Sequence, residues 1–212
     1  MNRKKNMLKI FVVIPSYNVV DLIGKTINRI PSTILGKISR LVIINDGSRD
    51  NTISVVKQWK KKFPKIIIID KKKNEGYARA QKTGFSYALD KGADIVVLLH
   101  SDGQYAPEVM GRLIGPLERG RADIVQGSRI LGGKALEGRM PLYKFIANRV
   151  LSRLENWVCG MDLHEYHSGY MAYSKKALLT IPFLKLSNTF HFDGEMLIVG
   201  HKKGLTIRET PI

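Results

Sequence analysis

The sequence has one cysteine, Cys159, and few acidic residues: 18 Asp and Glu stand against 35 Lys and Arg, for a formal net charge of +17. The lone thiol excludes an internal disulfide and points to a reducing, cytoplasmic setting. No uncharged apolar run approaches the roughly twenty residues that a membrane-spanning helix needs, so membrane contact is expected to be peripheral. The opening "MNRKKNMLK" lacks the apolar stretch by which a secretory signal is read. Repeats and low-complexity linkers are absent too, and 212 residues with ordinary aliphatic content suit one globular domain.

The positive excess suits a polyanion: nucleic acid, anionic membrane or a phosphorylated substrate. It gathers in "NRKKN" at the start, "KQWKKKFPK" (57–65), "DKKKN" (70–74) and "HKKG" (201–204), where solvated lysines at element ends are the plainer explanation for any single run. A groove-reading helix motif and an aromatic RNA-binding sheet pattern are both missing, so nucleic acid is not an expected partner.

Apolar, β-branched runs recur at 9–15, 38–46, 65–70, 93–100 and 122–129, with helix-like spacing over 20–30, 51–63, 75–91 and 107–119. Continuous buried runs alternating with helices are the signature of a mainly parallel sheet covered on both faces, an α/β fold. Asp50 or Asn51 is placed to cap the second helix, and Pro107 fits the first turn of the fourth. In such sheets ligands bind beyond the carboxyl ends of the strands. That directs attention to "PSYN", "NDGSRD", "KKKNEG", "HSDGQY" and "GSR".

The alternation stops after residue 130. "GGKALEGR" (132–139) reads as a mobile loop. Beyond it, Leu142, Phe145, Ile146, Val150, Leu154, Trp157, Val158 and Met161 follow helical spacing, with Lys144, Arg149, Arg153 and Glu155 on the other face. A helix packed on the sheet is the favoured reading, with an interfacial membrane helix as its rival. A strand running into a helix (167–178), a helix ending near Gly204 and a final strand follow. The sequence given ends directly after that strand, and a C-terminal extension is an expectation.

Several side chains in the post-strand segments have chemistry to offer. Asp46 could accept hydrogen bonds from a base or a ribose, although Asp-Gly-Ser is also ordinary turn chemistry. Tyr17 could lie flat on a base, with Asn18 bonding to it, and Pro15 ends the strand before them. Gly76 would let the next helix start approach a phosphate closely, which helix packing explains equally well. Asp102 and Gln104, at alternate positions after Ser101, are oxygen ligands of the kind Mg²⁺ or Mn²⁺ prefers. His100 could add a ligand for Mn²⁺, donate to a diphosphate or make a structural hydrogen bond, and the last two are favoured.

In this order, "VVIPSYN", "INDGSRD", "NEGYARA", "HSDGQY" and "GSR" resemble the successive motifs of the family 2 glycosyltransferases, inverting enzymes of the GT-A fold that use sugar nucleotides. "EYHSGYMAY", "HFDGEM" and "ETPI" look most like the dolichol-phosphate mannose synthase branch, and the likeness covers residues 9–212. It implies a nucleotide-binding half over about 9–130 and an acceptor half over about 131–212. Pro15, Tyr17, Asn18, Asp46, Gly76, Ser101 and Asp102 would then lie at the donor nucleotide, and Asp102 with Gln104 at Mg²⁺ or Mn²⁺. Arg129, Arg139, Lys144 and Arg149 fall where that branch handles the acceptor phosphate, a task that suits guanidinium groups.

Two departures stand out: Val19 replaces an acidic residue often found after the "YN" pair, and His100 replaces the first carboxylate of the Asp-x-Asp motif. The function implied is hexose transfer from a GDP- or UDP-sugar to polyprenyl phosphate by a peripheral enzyme on an anionic cytoplasmic membrane face, with a homodimer as an option. The alternative acceptor is a growing cell-surface glycan. A saccharide hydroxyl needs a carboxylate base, for which Asp193 and Glu195 are the candidates, whereas a phosphate is already anionic. A helix-start charge or a lysine salt bridge is the plainer role for Asp193.

Overall fold

The computed structural model describes residues 7–131, 142–166 and 168–212. Seven strands form one sheet: β1 (Ile10–Ser16), β2 (Ile38–Asn45), β3 (Ile66–Asp70), β4 (Ile95–Leu98), β5 (Ile124–Ser128), β6 (Met171–Ser174) and β7 (Ile207–Pro211). Their spatial order is β3-β2-β1-β4-β6-β5-β7. Every pairing is parallel except the two made by β6, which runs antiparallel between β4 and β5. The sheet is therefore mainly parallel, as its β-branched runs require.

Strand periodicity divides the core in two. On one face Ile10, Val12 and Ile14 of β1 pack with Ile95 and Val97 of β4, under α1 (Ile23–Asn28), α2 (Ser32–Lys37), α3 (Thr52–Lys62) and α5 (Met110–Glu118). On the other, Phe11 and Val13 pack with Val96 and Leu98, under α4 (Tyr77–Asp90), α7 (Lys175–Thr180) and α8 (Phe192–Lys202). Each such aliphatic side chain, fully buried, contributes about 1.5–3 kcal/mol. Gly84 lets α4 press onto β1: a Cβ there would drive into the Val13 side chain, 3.2 Å from Cγ2.

Three local expectations are corrected. The helix expected over 20–30 shrinks to α1, Ile23–Asn28, and an unexpected short helix, α2, follows it, opened by Pro31, whose carbonyl accepts from the amides of Ile34 and Leu35. The helix over 107–119 opens as a 3₁₀ turn, Pro107–Val109, before α5 begins. Asn51 makes no side-chain cap; Asp50 does the work, accepting from the Thr52 amide at 3.0 Å.

The largest correction concerns α6 (Leu142–Cys159). Where its side chains are described, the apolar stripe faces outward: Val150 is 61% exposed, Leu154 54%, Trp157 82% and Val158 68%, while Met161, just past the helix, packs against the core. Ser152 is buried instead, and Asn156 bonds the Leu163 amide and carbonyl and accepts from the Tyr166 hydroxyl. Spacing fixed where the stripe lies on the helix; Asn156, anchored in the 161–166 turn, holds the opposite side inward. No helix among the described residues is long and apolar enough to cross a membrane.

Candidate active site

Five segments meet at the carboxyl ends of the parallel strands. Pro15 lies inside β1, which runs one residue beyond the end expected for it; its carbonyl accepts from the Ser101 hydroxyl at 2.8 Å, while the Ser101 carbonyl accepts from Thr26, so the chain beyond β4 is pinned to the end of β1 and to α1. Asn18 adopts positive φ (50°), its amide donates to Ser48 Oγ, and its side-chain oxygen accepts from the Arg49 amide. Asn18 thus holds the turn after β2 while staying exposed. A cleft of about 420 Å³ opens between these turns and the segment after β3, lined by Tyr17, Asn45, Ser48, Arg49, Asp70 and Lys73 among others.

Asp46 organises the floor of this region. Buried at the end of β2, it accepts the amides of Glu75 (3.1 Å) and Gly76 (2.8 Å) and pairs with Lys71 at 3.0 Å. Lys71 also meets Glu75 at 2.6 Å, which corrects the reading of the "DKKKN" run as wholly solvated. Gly76, at φ 94°, turns the chain into α4 with its amide aimed at Asp46.

After β4, Asp102 and Gln104 are exposed, and Asp102 Oδ1 accepts from the Gln104 amide at 3.0 Å. Among the described residues no group of three or more His, Cys, Asp or Glu side chains surrounds a point where a metal ion could sit. One carboxylate and an amide oxygen fit Mg²⁺ or Mn²⁺ all the same, because such ions keep waters and borrow phosphate oxygens.

His100 is half-buried beside them. Its Nε2 lies 2.6 Å from the Tyr77 hydroxyl at the start of α4, and that hydroxyl donates to Asp193 Oδ2 at 2.8 Å. Burial holds the imidazole below its usual pKa, opposed by Asp102 and by a backbone hydrogen bond to Gly169, and reinforced by the Arg129 charge. Burial likewise pushes Asp193 up to about 6, with Tyr77 and Gln81 pulling the other way. Asp193 does lie in the first turn of α8, the helix-start position expected for it, but it is buried and its hydrogen-bond partner is a tyrosine rather than a lysine. Glu195, two residues on in the same first turn of α8, accepts from the Ser187 amide at 2.8 Å.

Arg129 lies beyond β5. Its amide and Nε donate to Glu165 at 2.9 and 3.1 Å, and its guanidinium sits 5.7 Å from the centre of the Tyr105 ring. Tyr105 meets His100 edge-on at 4.9 Å, which links the arginine to the strand-end cluster. Arg149 stands apart, lining a separate cavity of about 150 Å³ with Ser152, Arg153, Asp162 and His164. Arg139 lies outside the described residues, as does the Lys144 side chain.

Tyr77, Tyr105, Glu165 and Gly169 were not singled out from sequence. The first and last two sit in the segments "NEGYARA" and "EYHSGYMAY", so the position of those segments was a signal, but nothing in sequence said that they touch.

A mainly parallel sheet, a cleft of nucleoside size beyond β1–β3, an exposed carboxylate beyond β4 and an arginine beyond β5 define a GT-A glycosyltransferase. Residues 11–181 match the family described as Glycosyl transferase family 2, and the chain belongs to that family. It is similar to the UDP-N-acetylglucosamine–dolichyl-phosphate N-acetylglucosaminyltransferase of Methanococcus voltae, 31% identical over 96% of this chain and 84% of that one. It is also similar to the polyprenol monophosphomannose synthase of Mycolicibacterium smegmatis, 24% identical over 95% of this chain and 75% of that one. Among solved structures, glucosyl-3-phosphoglycerate synthase of Mycobacterium tuberculosis, in complex with Mn²⁺, uridine diphosphate and phosphoglyceric acid, superposes with a TM-score of 0.70. That match is 19% identical and covers 96% of this chain and 68% of that one, a likeness of fold.

Proposed function

We propose that the protein transfers a hexose or N-acetylhexosamine, with inversion, from a nucleoside-diphosphate sugar to a polyprenyl phosphate at a membrane surface. The observation that carries the reading is the outward stripe of α6, Val150, Leu154, Trp157 and Val158, flanked by the exposed Arg149 and Arg153. Apolar residues with Trp beside basic ones suit the plane of an anionic bilayer, where a lipid acceptor resides. The relatives that act on dolichyl or polyprenol phosphates support the acceptor class, and the Methanococcus voltae relative supports a UDP-sugar donor.

In this reading the cleft beside Tyr17 and Asp70 takes the nucleoside, with Asp46 and Gly76 shaping its floor. Asp102 and Gln104 would hold Mg²⁺ or Mn²⁺ against the diphosphate, and a cation there neutralises charge growing on the leaving oxygens. Arg129, oriented by Glu165, receives the acceptor phosphate, with Lys144, Arg149 and Arg139 kept as further candidates. A phosphate oxygen attacks the anomeric carbon opposite the diphosphate, the new C–O bond forms as the old one breaks, and the nucleoside diphosphate departs. The attacking oxygen carries no proton, so no base is required. The burial of Asp193, held by Tyr77, speaks against the saccharide-acceptor alternative, which needs a carboxylate within reach of an incoming hydroxyl.

The test is an incubation with radiolabelled UDP- and GDP-sugars, Mn²⁺ or Mg²⁺, and polyprenyl phosphate in anionic vesicles. Organic-extractable label is expected with a UDP-sugar; its absence under every donor overturns the reading.

A further inference from the structure

Ser152 of α6 is 3% exposed, and among the described residues its hydroxyl has no hydrogen-bond partner. Such a group costs about 1–3 kcal/mol when it is taken from water, so an enclosed hydroxyl that lines a cavity is a donor for any acceptor entering it. The cavity is the one of about 150 Å³ between α6 and residues 162–164. Asn156, in the same lining, has its amide engaged by Leu163 and Tyr166, and His164 is bonded to Glu209 at 2.8 Å. Arg149 and Arg153, one helical turn apart, bring two guanidinium groups against the single carboxylate of Asp162. Two forked cations and a hydroxyl suit an anion with several oxygens. The volume is well below the cleft of about 420 Å³ that the nucleoside would take, and it suits a phosphate group alone.

We propose that this cavity binds the phosphate of a bilayer phospholipid, with the Ser152 hydroxyl and the Arg153 guanidinium as donors and Arg149 adding charge. At about 100° per residue, Ser152, Asn156, Arg149 and Arg153 succeed one another round α6, and Trp157, Val150, Leu154 and Val158 continue the order. The cavity face and the apolar stripe therefore adjoin, with Arg153 next to Trp157. A helix lying in the bilayer plane sinks its stripe to the acyl boundary and holds the neighbouring basic residues among the headgroups. A lipid phosphate beside Ser152 would fix the depth and rotation of α6. Ile130, next in the chain to Arg129, lines the same cavity, so the headgroup site adjoins the acceptor side without using Arg129 itself. The lipid as the source of the phosphate rests on the membrane reading proposed above; the phosphate chemistry of the cavity does not.

The first probe is dihexanoylphosphatidylglycerol below its micelle concentration, titrated into the ¹⁵N-labelled full chain. The amides of 162–164 and the Arg153 Nε–H, assigned by its loss in Arg153→Gln, should shift and saturate. Ser152→Ala should bind about tenfold more weakly, the loss expected for one hydrogen bond to a charged group. It should not lower the urea midpoint, because the hydroxyl it removes has no partner in the free protein. Shifts that do not saturate, or equal affinity in Ser152→Ala, overturn the proposal. So does tighter binding of inorganic phosphate or of a short-chain polyprenyl phosphate at the same residues, which would give the cavity to a soluble anion or to the acceptor. Flotation then tests the source on a bilayer. At matched negative charge, phosphatidylglycerol vesicles should hold the parent better than phosphate-free vesicles of galactolipid and oleate, and Ser152→Ala, which changes no charge, should narrow the difference. Equal flotation with both, or none with either, overturns the lipid source. Failure of every donor in the transfer assay would strike the proposed function and leave these titrations standing.

Discussion

Arg129 and Glu165 form a pair in which the carboxylate is all but enclosed, its side chain 1% exposed, while the guanidinium keeps 30% of its surface in solvent. Glu165 spends both oxygens on the arginine, one on the backbone amide and one on the side chain. Removing the cation would strand a buried anion, which typically costs about 3–5 kcal/mol. Arg129→Ala is therefore expected to lower stability to urea by that order, and Glu165→Gln by less, since the amide still accepts. Transfer assays on Glu165→Gln should show a raised acceptor KM with nucleotide affinity intact. If Arg129→Ala unfolds at the parent's urea midpoint, the pair is not the buried unit described.

Gly169 has no room for a side chain. A Cβ would lie 2.9 Å from the Tyr77 hydroxyl and press on the His100 ring, both anchored by the same chain of hydrogen bonds. Gly169→Ala should cost about 1–3 kcal/mol, the usual range for overpacking, and displace the imidazole. Circular dichroism through a urea series measures the first, and the His100 ¹⁵N shifts measure the second. Parent-like stability with an unmoved ring would contradict the packing.

Asp193 should leave a signature in the pH dependence of stability. Its pKa rises from 3.8 in the unfolded chain to about 6 in the folded one. Between those values the native protein holds a proton that the unfolded chain has released, so this group's contribution falls as pH rises through the window. Asp193→Asn removes the dependence. The variant should match the parent near pH 4 and exceed it at pH 7 by on the order of 2–3 kcal/mol, read as a difference between two urea titrations. A parallel pair of curves would exclude the shift.

The outward face of α6 predicts a separation of stability from membrane binding. Because Leu154, Trp157 and Val158 are exposed, changing them to Ser should alter stability by no more than about 0.5 kcal/mol each. Flotation with vesicles rich in anionic lipid should drop sharply in the triple variant. Retained flotation would remove the surface assigned to the bilayer, while a large loss of stability would mean that the stripe packs against protein.

Asp102→Asn should abolish Mn²⁺-dependent UDP binding in calorimetry, because an amide is a far poorer ligand for a hard cation. Cation-independent binding in the parent would show that Asp102 is not a ligand.

How much of this was legible beforehand varied with the physics involved. The sheet was readable because strands covered on both faces must be apolar at every position, and β1 through β5 wrote that into the chain. The segments after those strands were readable for the same reason, since strand ends locate them. What the sequence left out was long-range contact. Tyr77 meets Asp193 across 116 residues and Arg129 meets Glu165 across 36, and no periodicity announces either pair. Lys71 looked like one lysine of a run until Asp46, at the end of the neighbouring strand, claimed it. The α6 stripe was readable as a stripe, but its direction depended on Asn156, a polar residue whose partners lie in the following turn.

The reversed strand β6 also sets a timetable for the folding chain. Its neighbours β4 and β5 both precede it, and neither touches the other without it. A chain emerging from the ribosome can pair β1 to β4 from segments already made, whereas β4 and β5 each keep an unpaired edge until residues 171–174 appear. The same event carries Gly169 against His100 and Glu165 against Arg129. The strand-end segments on either side of β6 thus come together only when a single four-residue strand closes the gap, and a nascent chain halted before it leaves β4 and β5 without a junction between them.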